Sequence, residues 1–176
     1  MSMVTLIDSS IQAAASFTRP ADTTAYASGD LVANSTTAAS VTPLSFYPLP
    51  RMTAQGFSIR RVRMRSSRTS GVTAIGTVPA NASFRVHLFA ASPTVTNGDN
   101  GAFFSTQVAT YIGALDVTLN RGFSDGFSGI GIPVTGSEII CKNLTGETLY
   151  ALVQATAAYT PTSAEVFTIT LEGYNI

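Results

Sequence analysis

Residues Thr148–Gly173 read TLYALVQATAAYTPTSAEVFTITLEG, and two alternating runs inside this stretch decide the fold class. In the first, Leu149, Ala151, Val153 and Ala155 fall on one side of an extended chain, because successive strand residues point to opposite faces. In the second, Phe167, Ile169 and Leu171 share a face opposite Thr168, Thr170 and Glu172. Alternation with period two marks strands that bury one side and wet the other. The last run is strongly apolar almost to Ile176, so the C-terminal segment is expected to pair within a sheet.

The same signal recurs upstream as short β-branched or aromatic runs between turn clusters. It predicts further strands over Ile11–Thr18, Leu31–Asn34, Val41–Phe46, Gly56–Arg65, Ser83–Ala90, Val108–Leu115 and Glu138–Asn143, besides Thr148–Ala157 and Glu165–Gly173. Within Ser83–Ala90 the pattern turns Phe84, Val86, Leu88 and Ala90 inward and Arg85 and His87 outward. No segment carries the apolar stripe of an amphipathic helix. Eight or nine antiparallel strands in 176 residues predict an all-β fold, an antiparallel β-sandwich of jelly-roll-like type.

Charged residues make up only 11% of the chain, against roughly 25% in a typical domain. Much of the surface must therefore be hydroxyl, amide or methyl, which suits assemblies whose contacts desolvate little charge. Net charge is zero, so no global field draws the protein to nucleic acid or to anionic lipid. No run approaches the roughly 18 apolar residues of a membrane span. The start, MSMVTLIDSS, lacks the basic flank and apolar core of an export signal. Without export, the Asn-x-Ser/Thr triplets at Asn34, Asn81 and Asn143 read as chance matches. The one cysteine, Cys141, follows Ile139 and Ile140 and is expected to be a buried, inert thiol.

Residues 1–50 differ from residues 51–176. The first part has four charges, Asp8, Arg19, Asp22 and Asp30, and closes on Pro43, Pro48 and Pro50 around Leu44, Phe46 and Tyr47. Prolines at that spacing are incompatible with a central strand. The reading is an extended N-terminal arm with short strands over 1–50, followed by a sandwich domain over 51–176. An arm carrying Phe17, Tyr26, Phe46 and Tyr47 must pack somewhere, since burying each large side chain is worth roughly 1.5–3 kcal/mol. Its own domain and a neighbouring subunit both remain open as that place.

Within the arm, Phe17–Ser35 reads FTRPADTTAYASGDLVANS. Arg19-Pro20-Ala21-Asp22 and Ala27-Ser28-Gly29-Asp30 both read as turns, with Pro20 fixing φ and Gly29 supplying a hinge. This segment resembles one that recurs in the capsid cement, or decoration, family of tailed bacteriophages. The resemblance implies a non-enzymatic virion protein on the outer capsid surface, made in the host bacterial cytoplasm. It also implies a homotrimer whose partner is the major capsid protein, with no cofactor. Residues expected at such a partner or subunit interface are Phe17, Arg19, Tyr26, Phe46 and Tyr47.

Arg61, Arg63 and Arg65 join them from the only charge cluster, Arg60–Arg68. On a strand those three point to one side and Val62 and Met64 to the other, and a row of like charges is costly unless anions meet it. The readings are contact with a partner or subunit, pairing within the chain, and nucleic acid. The last lacks the interleaved aromatics and basic balance it needs.

Gly122-Phe123-Ser124-Asp125-Gly126 matches the G-x-S-x-G elbow of α/β-hydrolases. The context fails, because the single histidine, His87, precedes Ser124, and Gly129, Gly131 and Pro133 exclude a following helix. The stretch reads instead as a glycine-rich loop anchored by Phe123 and Phe127. A head-fibre or tail module binding a host receptor or glycan is the alternative function, and this loop its one candidate groove. His87 alone makes no metal site or general base, and Asn97–Gly101 reads as a turn better than as a calcium loop. No catalytic, cofactor or metal residue is assigned.

Overall fold

The computed structural model describes residues 10–47, 56–69, 82–142, 144 and 148–176. These residues form β1 (Ser10–Thr18), β2 (Leu31–Val32), β3 (Leu44–Phe46), β4 (Phe57–Ser66), β5 (Ser83–Phe89) and β6 (Tyr111–Thr118). They continue with β7 (Arg121–Phe123), β8 (Gly126–Pro133), β9 (Ile139–Cys141), β10 (Leu149–Ala155) and β11 (Val166–Asn175). Single 3₁₀ turns occupy Ala38–Ser40 and Val108–Thr110, and the second delays the predicted Val108 strand until Tyr111.

Every strand pairing is antiparallel. One sheet runs β1-β11-β4-β8, with β9 along β4 and β7 along β8. The other runs β8-β6-β5-β10, with β2 and β3 along β10. β8 belongs to both: Phe127–Gly131 pairs with β4, and Ile132 and Pro133 pair with β6. At the opposite margin β1 comes close to β3. The result is an antiparallel β-sandwich with a barrel-like curl, in which the chain crosses repeatedly between the two sheets. The C-terminal strand lies between β1 and β4, as its apolar alternation requires.

The inward faces interlock as the period-two reading expects. Phe167, Ile169 and Leu171 face Val62 and Met64 along their shared sheet, and Phe84, Val86, Leu88, Leu149, Ala151, Val153 and Ala155 close the core from the other. Aromatic edges fix the packing at one end: Phe84 meets Tyr159 at 5.2 Å and Phe167 at 5.5 Å, and Phe17 meets Phe167 at 5.6 Å. A second, smaller cluster of Leu31, Ala33, Phe89 and Leu152 lies outside this core, under Val95 and Phe103.

The Gly122–Gly131 stretch is not a loop. It is the hairpin β7–β8, and β8 is the strand at which the two sheets join. Its glycines depress strand propensity, but here they are what the corner requires. A Cβ on Gly129 would collide with the Thr118 carbonyl, and one on Gly131 with that of Asp116. Only glycine lets the β6 backbone cross that closely. Phe127 is buried in the core, whereas Phe123 is 51% exposed, so only one of the two anchors inward.

The boundary drawn at residue 50 falls among residues outside the description, as do Pro48, Pro50, Asn81 and Asn143. On its near side, Ser10–Tyr47 contributes β1 to one sheet and β2 and β3 to the other. β1 pairs along its whole length with β11, from Ser10 opposite Tyr174 to Thr18 opposite Val166. β1, β2 and β3 are thus strands of the sandwich itself, packed on their own chain.

Candidate interaction surface

The turn-rich segment Phe17–Ser35 is held by a buried polar network. Arg19 leaves β1 with its side chain fully inside the protein, which demands partners for its charge. Its Nε donates to the Tyr26 hydroxyl at 2.8 Å, and one terminal nitrogen donates to Asp22 and to Asp99, each at 3.0 Å. The other terminal nitrogen donates to the Asp22 carbonyl. Tyr26 in turn donates to Asp99 at 2.7 Å, and the Ala33 amide donates to the same carboxylate at 2.7 Å.

Burial would lower the Arg19 pKa, but Tyr26, Asp22 and Asp99 outweigh it and hold the guanidinium charged. The Thr24 amide and then Arg19 pull the Asp22 carboxyl below its ordinary value. Burial pushes Asp99 upward against the pull of Ala33, Tyr26 and Arg19.

A second network sits beside it. Glu165 accepts from Ser66, from the Tyr159 hydroxyl at 2.6 Å and from the Thr162 amide at 2.9 Å, and Tyr159 stacks on Tyr26. Together these fasten the segment after β1 to the turns before β11 and after residue 95.

The expected interface residues therefore separate into two groups. Arg19, Tyr26 and Phe46 are buried within this chain and offer no surface to a partner. Their place at an interface gives way to burial in cis, because the network and β3 enclose them. Phe17 is half-buried against the core, and Tyr47 is exposed. Arg61, Arg63 and Arg65 do face outward on β4, with Val62 and Met64 inward.

A β-bulge adds to that row. Arg61 pairs with Glu172 but Ile59 pairs with Gly173, so Arg60 is an extra residue and stands on the outer side next to Arg61. The carboxylate of Glu172 sits between Arg61 and Arg63, contacting Arg61 closely and Arg63 at 3.3 Å. Arg65 reaches Asp125 at 3.9 Å and Arg60 reaches Glu138 at 3.8 Å. Arg68 turns away, donating to the Thr160 carbonyl and lying over the Tyr159 ring. The arginines are thus paired within the chain while their side chains stay 42–63% exposed.

On one flank of the row lie Thr168 and Thr170 of β11, and on the other Ile130 and Ile132 of β8, each 61% exposed. Arg63 lies directly opposite Ile130, and Ile140 of β9 continues the apolar line further along β4. The isoleucines were visible in the sequence as Gly-Ile-Gly-Ile. Their alternation was masked because the inward partners are glycines, with no apolar side chain to score. Asp99, the counter-ion of Arg19, lies 80 residues away and carried no local signal.

Elsewhere the chemistry is structural. Burial pushes the Cys141 thiol up to about 12, as befits an inert core residue. Among the described residues, no group of three His, Cys, Asp or Glu side chains could hold a metal ion. Asn97–Gly101 is a turn, and its carboxylate, Asp99, is committed to Arg19 and Tyr26.

His87 does lie on the outer face of its sheet, but covered: it stacks on Phe103 at 4.2 Å and meets Gln154 at 3.1 Å, with Arg85, Asp116 and Tyr111 around it. Burial lowers its pKa below 6.5. A depressed value favours the neutral ring, so its contribution to stability is complete above 6.5 and is lost as pH falls through the folded-state value. Urea melts between pH 7 and pH 5 should show wild type losing stability faster than His87→Gln. Parallel slopes would mean that this site does not titrate with folding.

No protein-family model matches the chain, and no curated protein matches it.

Proposed function

We propose that this chain is a structural protein of a tailed-bacteriophage virion, a cement or decoration protein that binds the outer surface of the icosahedral shell and stabilises it. The observation that carries the reading is the outer face of the β1-β11-β4-β8 sheet. It carries a row of four arginines, paired with Glu172, Glu138 and Asp125 of the same chain and edged by threonines and isoleucines. Such a face suits a contact with fixed polar points, made by planar guanidinium forks beside hydroxyl and aliphatic surface. The resemblance of Phe17–Ser35 to the cement family supports the same reading, and so does the low charge of the whole chain.

The work is mechanical. Each added contact must break before the shell expands or leaks, and several modest contacts act together through effective concentration. A homotrimer is part of the proposal, since closed symmetry lets such surfaces meet without open-ended growth.

Sedimentation with empty shells of the same phage's major capsid protein tests it. The protein should enter the pellet with the shells and raise the temperature at which they rupture. Light scattering on the free protein should give roughly three times the 18.4 kDa chain mass. A protein left wholly in the supernatant would sink the proposal.

One observation favours a glycan-binding head-fibre or tail module as a second reading. Phe123, Asp125, Arg63, Arg65, Thr168 and Thr170 line an open groove of about 490 Å³, with an exposed ring beside polar groups. Binding on a glycan array, abolished by Phe123→Ala, would favour that reading over the first.

A further inference from the structure

We propose that the arginine row of β4 and the isoleucine line of β8 form one docking surface for a protein partner that presents carboxylates beside aliphatic side chains. This rests on the shell-binding reading and names the chemistry of its contact.

The charge argument starts from the bulge. Without it Arg60 would point opposite to Arg61, and the face would carry one cation fewer. With it, four guanidinium groups meet three carboxylates of the same chain, and two of the pairs are long, at 3.8 and 3.9 Å. Of the three, Glu172 alone meets the row closely, between Arg61 and Arg63, while Glu138 is held by the Ser58 hydroxyl. Each guanidinium carries five donors in a rigid fork, so exposed groups with one loose contact keep donors for a second carboxylate. Glu172 then orients the row, and Arg60 is steadied by lying over the Tyr174 ring at 5.6 Å.

The apolar half selects the kind of partner. Ile130 stands directly across from Arg63, so a ligand reaching one guanidinium also covers an aliphatic side chain. A phosphate backbone offers nothing to cover isoleucine, and the exposed rings of this face, Tyr174 beside Arg60 and Phe123 in the groove with Arg65, flank the row instead of alternating with its cations. A protein segment with alternating acidic and apolar residues satisfies both halves. Desolvating the arginines beside isoleucine also strengthens their contact with carboxylates.

Two sets of probes test the surface independently of the shell reading. The first is the empty shell. The second comprises short labelled peptides, one alternating Asp with Leu, one Asp with Ser, one Lys with Leu, and an oligothymidylate, read by fluorescence anisotropy at low and moderate salt. The Asp-Leu peptide should bind best. Arg63→Gln and Ile130→Ser should each weaken it about tenfold. Arg85→Gln, on the other sheet, should leave it unchanged, with all variants checked for native circular dichroism.

Shell binding unaffected by Arg63→Gln and Ile130→Ser would overturn this surface and leave the shell reading standing. Failure of wild type on shells, with residue-dependent binding of the Asp-Leu peptide, would do the reverse. Equal binding of all peptides, none at all, or preference for oligothymidylate overturns the surface.

Discussion

Asp99→Ala is expected to cost about 3–5 kcal/mol of stability, the usual consequence of stranding a buried charge by removing its partner. Three donors lose their acceptor at once: the Arg19 guanidinium, the Tyr26 hydroxyl and the Ala33 amide. Arg19 is enclosed and keeps only Asp22, which is partly exposed, as counter-ion. For a domain of this size each kcal/mol moves the melting temperature by about 2–4 °C, so a drop of roughly 6–20 °C should be seen.

Arg19→Met in the Asp99→Ala background should cost less than the sum of the two single changes, because the orphaned charge is then gone. Strict additivity in that cycle, measured by denaturant melts, would show that the two residues do not act as one network. The prediction bears on function through placement. Arg19 reads naturally as a surface arginine, yet its energetic role is to fasten β1 to the turns around Asp22 and Asp99.

How far the sequence could be read follows from these cases. The strands with apolar residues on alternate positions, such as Phe84–Leu88, Leu149–Ala155 and Phe167–Leu171, are found where the pattern places them. Their signal is local, since each residue's face is set by its neighbours' period. The sheet order is a different kind of information. Ser10 lies across from Tyr174 and Phe57 across from Cys141, pairings between segments whose local patterns say nothing of each other.

The arm was separated from the domain by composition, but composition reports polarity and not partnership. A weakly charged segment with Phe46 and Leu44 is as good a sheet member as an arm. The arginine row was legible as Arg61, Arg63 and Arg65. The fourth member was not, because a bulge depends on the partner strand's register at Glu172 and Gly173.

A comparably large effect is expected at Gly131. Replacing it with alanine places a Cβ 2.7 Å from the Asp116 carbonyl carbon and 2.8 Å from the Val117 Cβ, and closer still to the Asp116 carbonyl oxygen. Most of those atoms are backbone, so no side chain can swing away. Either β6 withdraws from β8 or β8 leaves β4, and both open the corner that joins the sheets. Overpacking of a core by flexible side chains costs about 1–3 kcal/mol, and a backbone clash should exceed that range.

Gly131→Ala should therefore lower the melting temperature by at least roughly 6 °C, and Gly131→Val should prevent folding. The neighbour Ile130→Ala alters more atoms of the same strand, but on its solvent side, and should change stability by less than about 1 kcal/mol. Comparing the two variants isolates the cause. If Gly131→Ala melted with Ile130→Ala, close backbone crossing would not be what holds this corner. If only Gly131→Ala collapsed, β8 would be the strand on which both sheets depend, with Ile130 and Ile132 left on its outer side for contact.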